Sequence, residues 1–145
     1  SPVPITGQTI GVVLVGSLLG KRLGTLSIML YLMEGSLGLP VFANMQAGTH
    51  ILIGPTGGYL FSFIIAAFLM GFFKEKGFII SPINCFLACF VSTTIILLIG
   101  SFYLSILVGG IHKGFAIGFY PFLIGDIIKS FICTIIIQGS RKLYT

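Results

Sequence analysis

Asp126 and Lys129 stand three positions apart in an otherwise apolar stretch, 115–137. On a helix that spacing puts a carboxylate and an ammonium on one face. Such groups are costly at membrane depth. They face a bundle interior or a watery cavity, pair with each other, and mark a substrate path. The plain rival is a structural ion pair inside the membrane that touches no ligand.

The elements that must position this pair are membrane spans. With 56% hydrophobic and 8% charged residues, and a mean hydropathy of +1.13, the chain lacks the polar surface to cover a soluble globule, in which about a quarter of residues would be charged. No Asp, Glu, Lys, Arg or His occurs between 77 and 111, a stretch longer than the ~20 residues that cross hydrocarbon. Residues 1–145 read as one all-α transmembrane unit, a polytopic helical bundle with five spans: 8–20, 24–39, 59–73, 78–100 and 115–138. The first and third are short and are expected to tilt or to meet a thinned bilayer. Segment 40–58, rich in Gly, Asn, Gln, Thr and Pro, reads as a long loop. Segment 101–114, which contains Gly109-Gly110, His112 and Lys113, is expected to hold a short interfacial turn after the fourth span.

Charge sets the orientation. Lys21, Arg22, Lys74, Lys76, Arg141 and Lys142, six of the eight basic residues, follow the first, third and fifth spans. The positive-inside rule makes that side cytoplasmic, with the C-terminus on it. The net charge of +5 is thus a topology signal. The basic residues come in isolated pairs with no interleaved stacking aromatics, which excludes a nucleic-acid partner. The chain opens Ser1-Pro2-Val3-Pro4 without initiator methionine, basic n-region or cleavage site, so at least one further helix is expected before Ser1.

Polar groups gather toward the opposite, outer side. Thr6 and Gln8 stand at the start of the first span, Gly54-Pro55-Thr56-Gly57-Gly58-Tyr59 opens the third, and Asp126 with Lys129 lies in the outer half of the fifth. Glycines at a helix head let backbone N–H groups approach an acceptor. An apolar cavity with a few placed polar groups suits a small amphipathic ligand. Glu34 is either a member of this network or a side chain snorkelling to the interface. The glycine-rich run is no P-loop, since no Gly-Lys-Ser/Thr follows it. Cys85, Cys89 and Cys133 read as small buried residues rather than a metal set. His50 and His112 lie in separate outer turns with no identifiable nucleophile partner, so the chain is not expected to be an enzyme or to hold a cofactor. Gly16, Gly20 and Gly24 allow close helix packing, within the bundle or against a partner.

Four blocks carry a resemblance. Val3-Pro4-Ile5-Thr6-Gly7-Gln8-Thr9, then Tyr31-Leu32-Met33-Glu34-Gly35 with Gly38-Leu39-Pro40-Val41-Phe42-Ala43, then Gly54-Pro55-Thr56-Gly57-Gly58-Tyr59-Leu60, and finally Pro121-Phe122-Leu123-Ile124-Gly125-Asp126-Ile127-Ile128-Lys129 look like the signature blocks of the BioY family, in family order. Those proteins are biotin-specific substrate-capture subunits (S-components) of energy-coupling-factor importers. The resemblance implies a six-helix membrane fold in a prokaryotic plasma membrane, biotin as ligand, and a transmembrane coupling subunit with two cytoplasmic ATPases as partners. The family's first helix has no counterpart among the blocks. The ligand role falls on Asp126 and Lys129, with Gln8, Tyr59 and the turn containing Thr56, Gly57 and Gly58 as pocket neighbours. Asp126 would accept from a ureido N–H, while Lys129 would hold the anionic tail or keep Asp126 ionised. Loop 40–58 would close over bound biotin, and the bundle would turn in the membrane when the ATPases act. Two other classes stay open from the residues alone: a secondary carrier with Asp126 as proton site, and a structural subunit.

Overall fold

A computed structural model describes residues 8–40, 48–54 and 57–144. Among them every regular element is helical: α1 (Gln8–Ser36), α2 (Thr49–Leu52), α3 (Gly57–Glu75), α4 (Pro82–Val108), α5 (Ile111–Gly118), a 3-10 turn (Tyr120–Phe122) and α6 (Leu123–Tyr144). Among the described residues four stretches are long and apolar enough to cross a membrane: Thr9–Ser36, Gly57–Glu75, Pro82–Val108 and Ile111–Ser140. Five spans were expected.

The difference lies in α1, where expected spans 8–20 and 24–39 run together through Gly20, whose backbone is non-helical (φ 86°, ψ 177°). In a continuous helix Gly16 and Gly24 would be about 12 Å apart. Here a Cβ on Gly24 would come within 3.1 Å of the Gly16 Cα. The element therefore doubles back at Gly20, a bend that needs the left-handed backbone only glycine adopts without strain. A Cβ on Gly16 would lie 2.6 Å from the Ala67 carbonyl oxygen, and one on Gly71 would strike the backbone of Gly20 and Lys21. The small residues are thus used for packing within the chain, as lipid-embedded helices require where no hydrophobic effect draws them together.

These contacts fix a register. Gly16 against Ala67 and Gly20 against Gly71 share one offset, so the first arm of α1 runs parallel to α3 and brings Gln8 to the level of Tyr59. At the bend, the Glu75 carboxylate accepts from the Lys21 backbone N–H at 3.1 Å. It satisfies a donor that the restarting helix leaves orphaned. Lys21, Arg22, Lys74 and Lys76 thereby share one end of the bundle. Gln138 Nε2 donates to the Ile79 carbonyl at 2.7 Å, which places the last part of α6 at the same end.

The later boundaries move for local reasons. α4 starts with Pro82 at its first turn, after Ser81 in extended backbone, and stops at Gly109 (φ 90°), whose N–H returns to the Ser105 carbonyl. It therefore runs to Val108 rather than ending near Gly100, and the turn expected within 101–114 falls at Gly109 and Gly110, between α4 and α5. Expected span 115–138 is not continuous. Pro121 lacks the N–H that an unbroken helix would use, and a 3-10 turn at Tyr120–Phe122 separates α5 from α6. On α6, Asp126, Ser130, Cys133 and Ile137 make a buried stripe at helical spacing. Ile124, Ile128, Phe131 and Ile135 are exposed, as a face turned to lipid would be.

Candidate functional site

Asp126 occupies the first turn of α6, immediately after the interruption at Pro121, where the positive end of the helix dipole favours a carboxylate. It is 4% exposed. The Thr94 hydroxyl of α4 donates to Asp126 Oδ2 at 2.8 Å. An ionised carboxylate accepts about four hydrogen bonds, so this one leaves capacity for a ligand donor. Around it α4 and α6 form a polar seam: Ser130 donates to the Asp126 carbonyl at 2.8 Å, and the Thr93 and Ser130 hydroxyls lie 3.4 Å apart. Lys129 is half-buried one turn further along α6, close enough for its charge and that of Asp126 to interact.

Tyr59 marks a second level. Its ring lies against Gly100 of α4, and its hydroxyl donates 2.7 Å to the Gly118 carbonyl at the end of α5. Only glycine fits at 100 and 118, because a Cβ at either would strike the Tyr59 side chain. The phenol expected to neighbour the pocket is thus also a clamp between α3 and α5. Tyr59→Phe should leave the Gly118 carbonyl buried without a partner and cost about 1–3 kcal/mol. Thermal unfolding of the purified variant checks this, and an unchanged midpoint would reject the clamp.

Gly57 and Gly58 are buried at the head of α3, with Gly58 against Tyr103 of α4. The Tyr103 hydroxyl donates 2.7 Å to the Ile53 carbonyl, pinning the chain just before the glycine-rich turn. Thr6 and Thr56 lie outside the described residues, as does the side chain of Gln8, whose backbone opens α1. Glu34 is half-buried near the end of α1. Cys85, Cys89 and Cys133 are fully buried in one apolar cluster between α4 and α6. The Ser101 hydroxyl meets that of Tyr59 beside Gly118.

The BioY family matches residues 1–145. The chain belongs to the BioY family. Among BioY relatives, a biotin transporter of Thermotoga maritima is 42% identical over 143 residues, covering 98% of this chain and 83% of that protein. A probable biotin transporter of Pyrococcus horikoshii is 39% identical over 137 residues, covering 94% and 80%. A solved structure, the S-component for biotin from an ECF-type ABC transporter, superposes with a TM-score of 0.88 at 28% identity, covering 97% of this chain and 77% of that one. The BioY chain described here therefore shares that protein's fold, and its family is one of transporters rather than enzymes.

Sequence reasoning missed Thr94 and Gly118. Thr94 is an ordinary hydroxyl residue in a long apolar span, and nothing local sets it apart. Gly118 and the break beside it did carry a signal: Pro121 inside a helical run ends or kinks a helix.

Proposed function

We propose that this chain captures biotin from outside the cell, as the membrane substrate-capture subunit of an energy-coupling-factor importer. Asp126 carries the reading. A buried carboxylate at a helix start, beside an interrupted helix, is the arrangement by which membrane transporters recognise polar ligands, because irregular backbone at membrane depth is tolerated only inside protein or along a cavity. Asp126 accepts from a ureido N–H of biotin. Lys129 holds the tail carboxylate or balances Asp126. Tyr59, Gly57 and Gly58 shape the outer end of the chamber, with Gln8 and Thr56 as its further neighbours, and the apolar faces of the helices receive the thiophane ring and valeryl chain.

In this reading the doubled α1 crosses the bilayer twice, giving five crossings, and the basic end faces the cytoplasm together with the C-terminus. A coupling subunit and two ATPases dock from that side and supply the free energy of transport. Support comes from the family, from the names of the relatives, and from the concentration of Lys21, Arg22, Lys74 and Lys76 at one end. Calorimetric titration of the purified protein with biotin tests capture. Saturable binding with one site per chain is expected, together with rejection of thiamine and riboflavin; absence of biotin binding to folded protein would reject the assignment.

A further inference from the structure

We propose that an apolar groove at the basic end of the bundle, between the α3–α4 turn and the first turns of α4, seats an acyl chain of an anionic phospholipid whose headgroup is held by Lys74 and Lys76. The groove encloses about 210 Å³ and is lined by Phe73, Phe78, Asn84, Leu87, Ala88 and Val91. Its α4 wall is a single stripe about 10 Å long, because positions 84, 87, 88 and 91 recur at helical spacing. Ala88 is the buried floor, while Leu87 and Val91 are exposed beside it, so the small side chain leaves a furrow between larger ones. The other wall comes from how α3 ends. Gly77 takes the left-handed backbone (φ 81°), and the Phe78 N–H returns to the Phe73 carbonyl at 2.8 Å. This Schellman closure folds the residue after the glycine back onto the last turn, and the Phe73 and Phe78 rings meet with centres 5.7 Å apart.

Charge complementarity identifies the occupant. Lys74 and Lys76 stand at this aromatic corner and are both exposed. The Lys76 N–H still returns to the Phe72 carbonyl at 3.0 Å, so Lys76 keeps the helical register and shares a face with Phe73, three residues before it. Its ammonium lies 5.6 Å from the centre of the Phe72 ring, which meets Phe73 edge-on at 6.0 Å. The carboxylate between the two lysines, Glu75, is engaged by the Lys21 N–H of α1. The exposed Asn84 amide adds neutral donors at the head of α4. A cationic rim above an apolar furrow matches a molecule with an anionic headgroup and a hydrocarbon chain, and lysines at a membrane surface attract such headgroups. A free phosphate would find only the rim. The groove lies on the lipid-facing surface of the bundle, independent of biotin capture.

The test is native mass spectrometry of the full chain in neutral detergent, with phosphatidylglycerol and phosphatidylcholine of identical acyl chains. Phosphatidylglycerol should be retained with an affinity about thirtyfold above that of phosphatidylcholine, the worth of two lysines at an anionic lipid surface. Lys74→Gln with Lys76→Gln should erase that difference; Lys113→Gln, at the opposite end, should preserve it. Val91→Phe, which fills the furrow from an exposed position, should lose the retained lipid with both lysines in place. Each altered side chain is exposed, so the lipid-free variants should keep the wild-type thermal midpoint. Glycerol 3-phosphate, which has the phosphate without the chains, should not displace the lipid; displacement would reduce the site to an anion-binding rim and overturn the proposal. Equal retention of the two lipids by the wild type would overturn it as well, leaving the groove an ordinary lipid-facing surface or a seat for a partner helix. So would retention that depends on the lysines but ignores Val91→Phe, since the lipid would then lie elsewhere on the basic end.

Discussion

Asp126→Asn should weaken biotin binding by about 2–4 kcal/mol, thirtyfold to a thousandfold, because removing one charge from a buried hydrogen-bonded pair has a cost of that order. Asn keeps the size of the side chain and an oxygen that can accept from Thr94, so the α4–α6 seam should persist and the variant should stay folded. Lys129→Ala separates the two roles open to the lysine. If its ammonium holds the ligand's tail, the loss should appear with biotin and vanish with biotin methyl ester, whose tail is uncharged. If it serves Asp126 instead, both ligands should lose equally, and the double variant should lose less than the sum of the single ones. Titration of the four proteins with the two ligands reads all of this. Wild-type affinity in Asp126→Asn would remove Asp126 from the site.

Gly71→Val should abolish the folded bundle, and Gly71→Ala should already cost about 3 kcal/mol, the upper end of overpacking penalties. The neighbours a Cβ would meet at Gly71 are backbone atoms of Gly20 and Lys21, which cannot swing aside as a side chain can. Relief requires the bend of α1 to leave α3. The first arm, which brings Gln8 level with Tyr59, would go with it. Gly139→Ala provides the opposite sign: nothing lies within 4 Å of a Cβ there, and replacing a helical glycine should stabilise by about 0.5–1 kcal/mol. Thermal unfolding and yield of monodisperse protein distinguish the pair. Equal midpoints for the two alanine variants would show that the helices are not in backbone contact.

Much of the architecture could be read locally. The span of α3 emerged within a few residues, because its flanks carry glycine at one end and lysines at the other. Expected spans 8–20 and 24–39 run together as one element, and no local feature says that Gly20 alone makes the bend between them. The fourth span, expected to end near Gly100, runs to Val108, because Gly, Ser and Tyr in a long helix look like its end when no neighbour is available to pack against them. In the site, the glycines at 57 and 58 were noticed as a helix head. The closeness of Gly58 to Tyr103 was not visible, since it depends on a helix some forty residues away.

What the sequence determined by itself is what a bilayer imposes residue by residue: a helical membrane protein, its basic residues clustered by side, and a carboxylate and an ammonium sharing one face near the end of the chain. Each follows from composition or from the three- to four-residue repeat of a helix, both local. Tertiary structure decided which groups those faces meet. Asp126 is met by Thr94, and the Tyr59 hydroxyl is engaged by Gly118 and Ser101. In hydrocarbon a polar side chain takes whichever partner helix packing brings within reach, and that choice leaves no periodic trace along the chain.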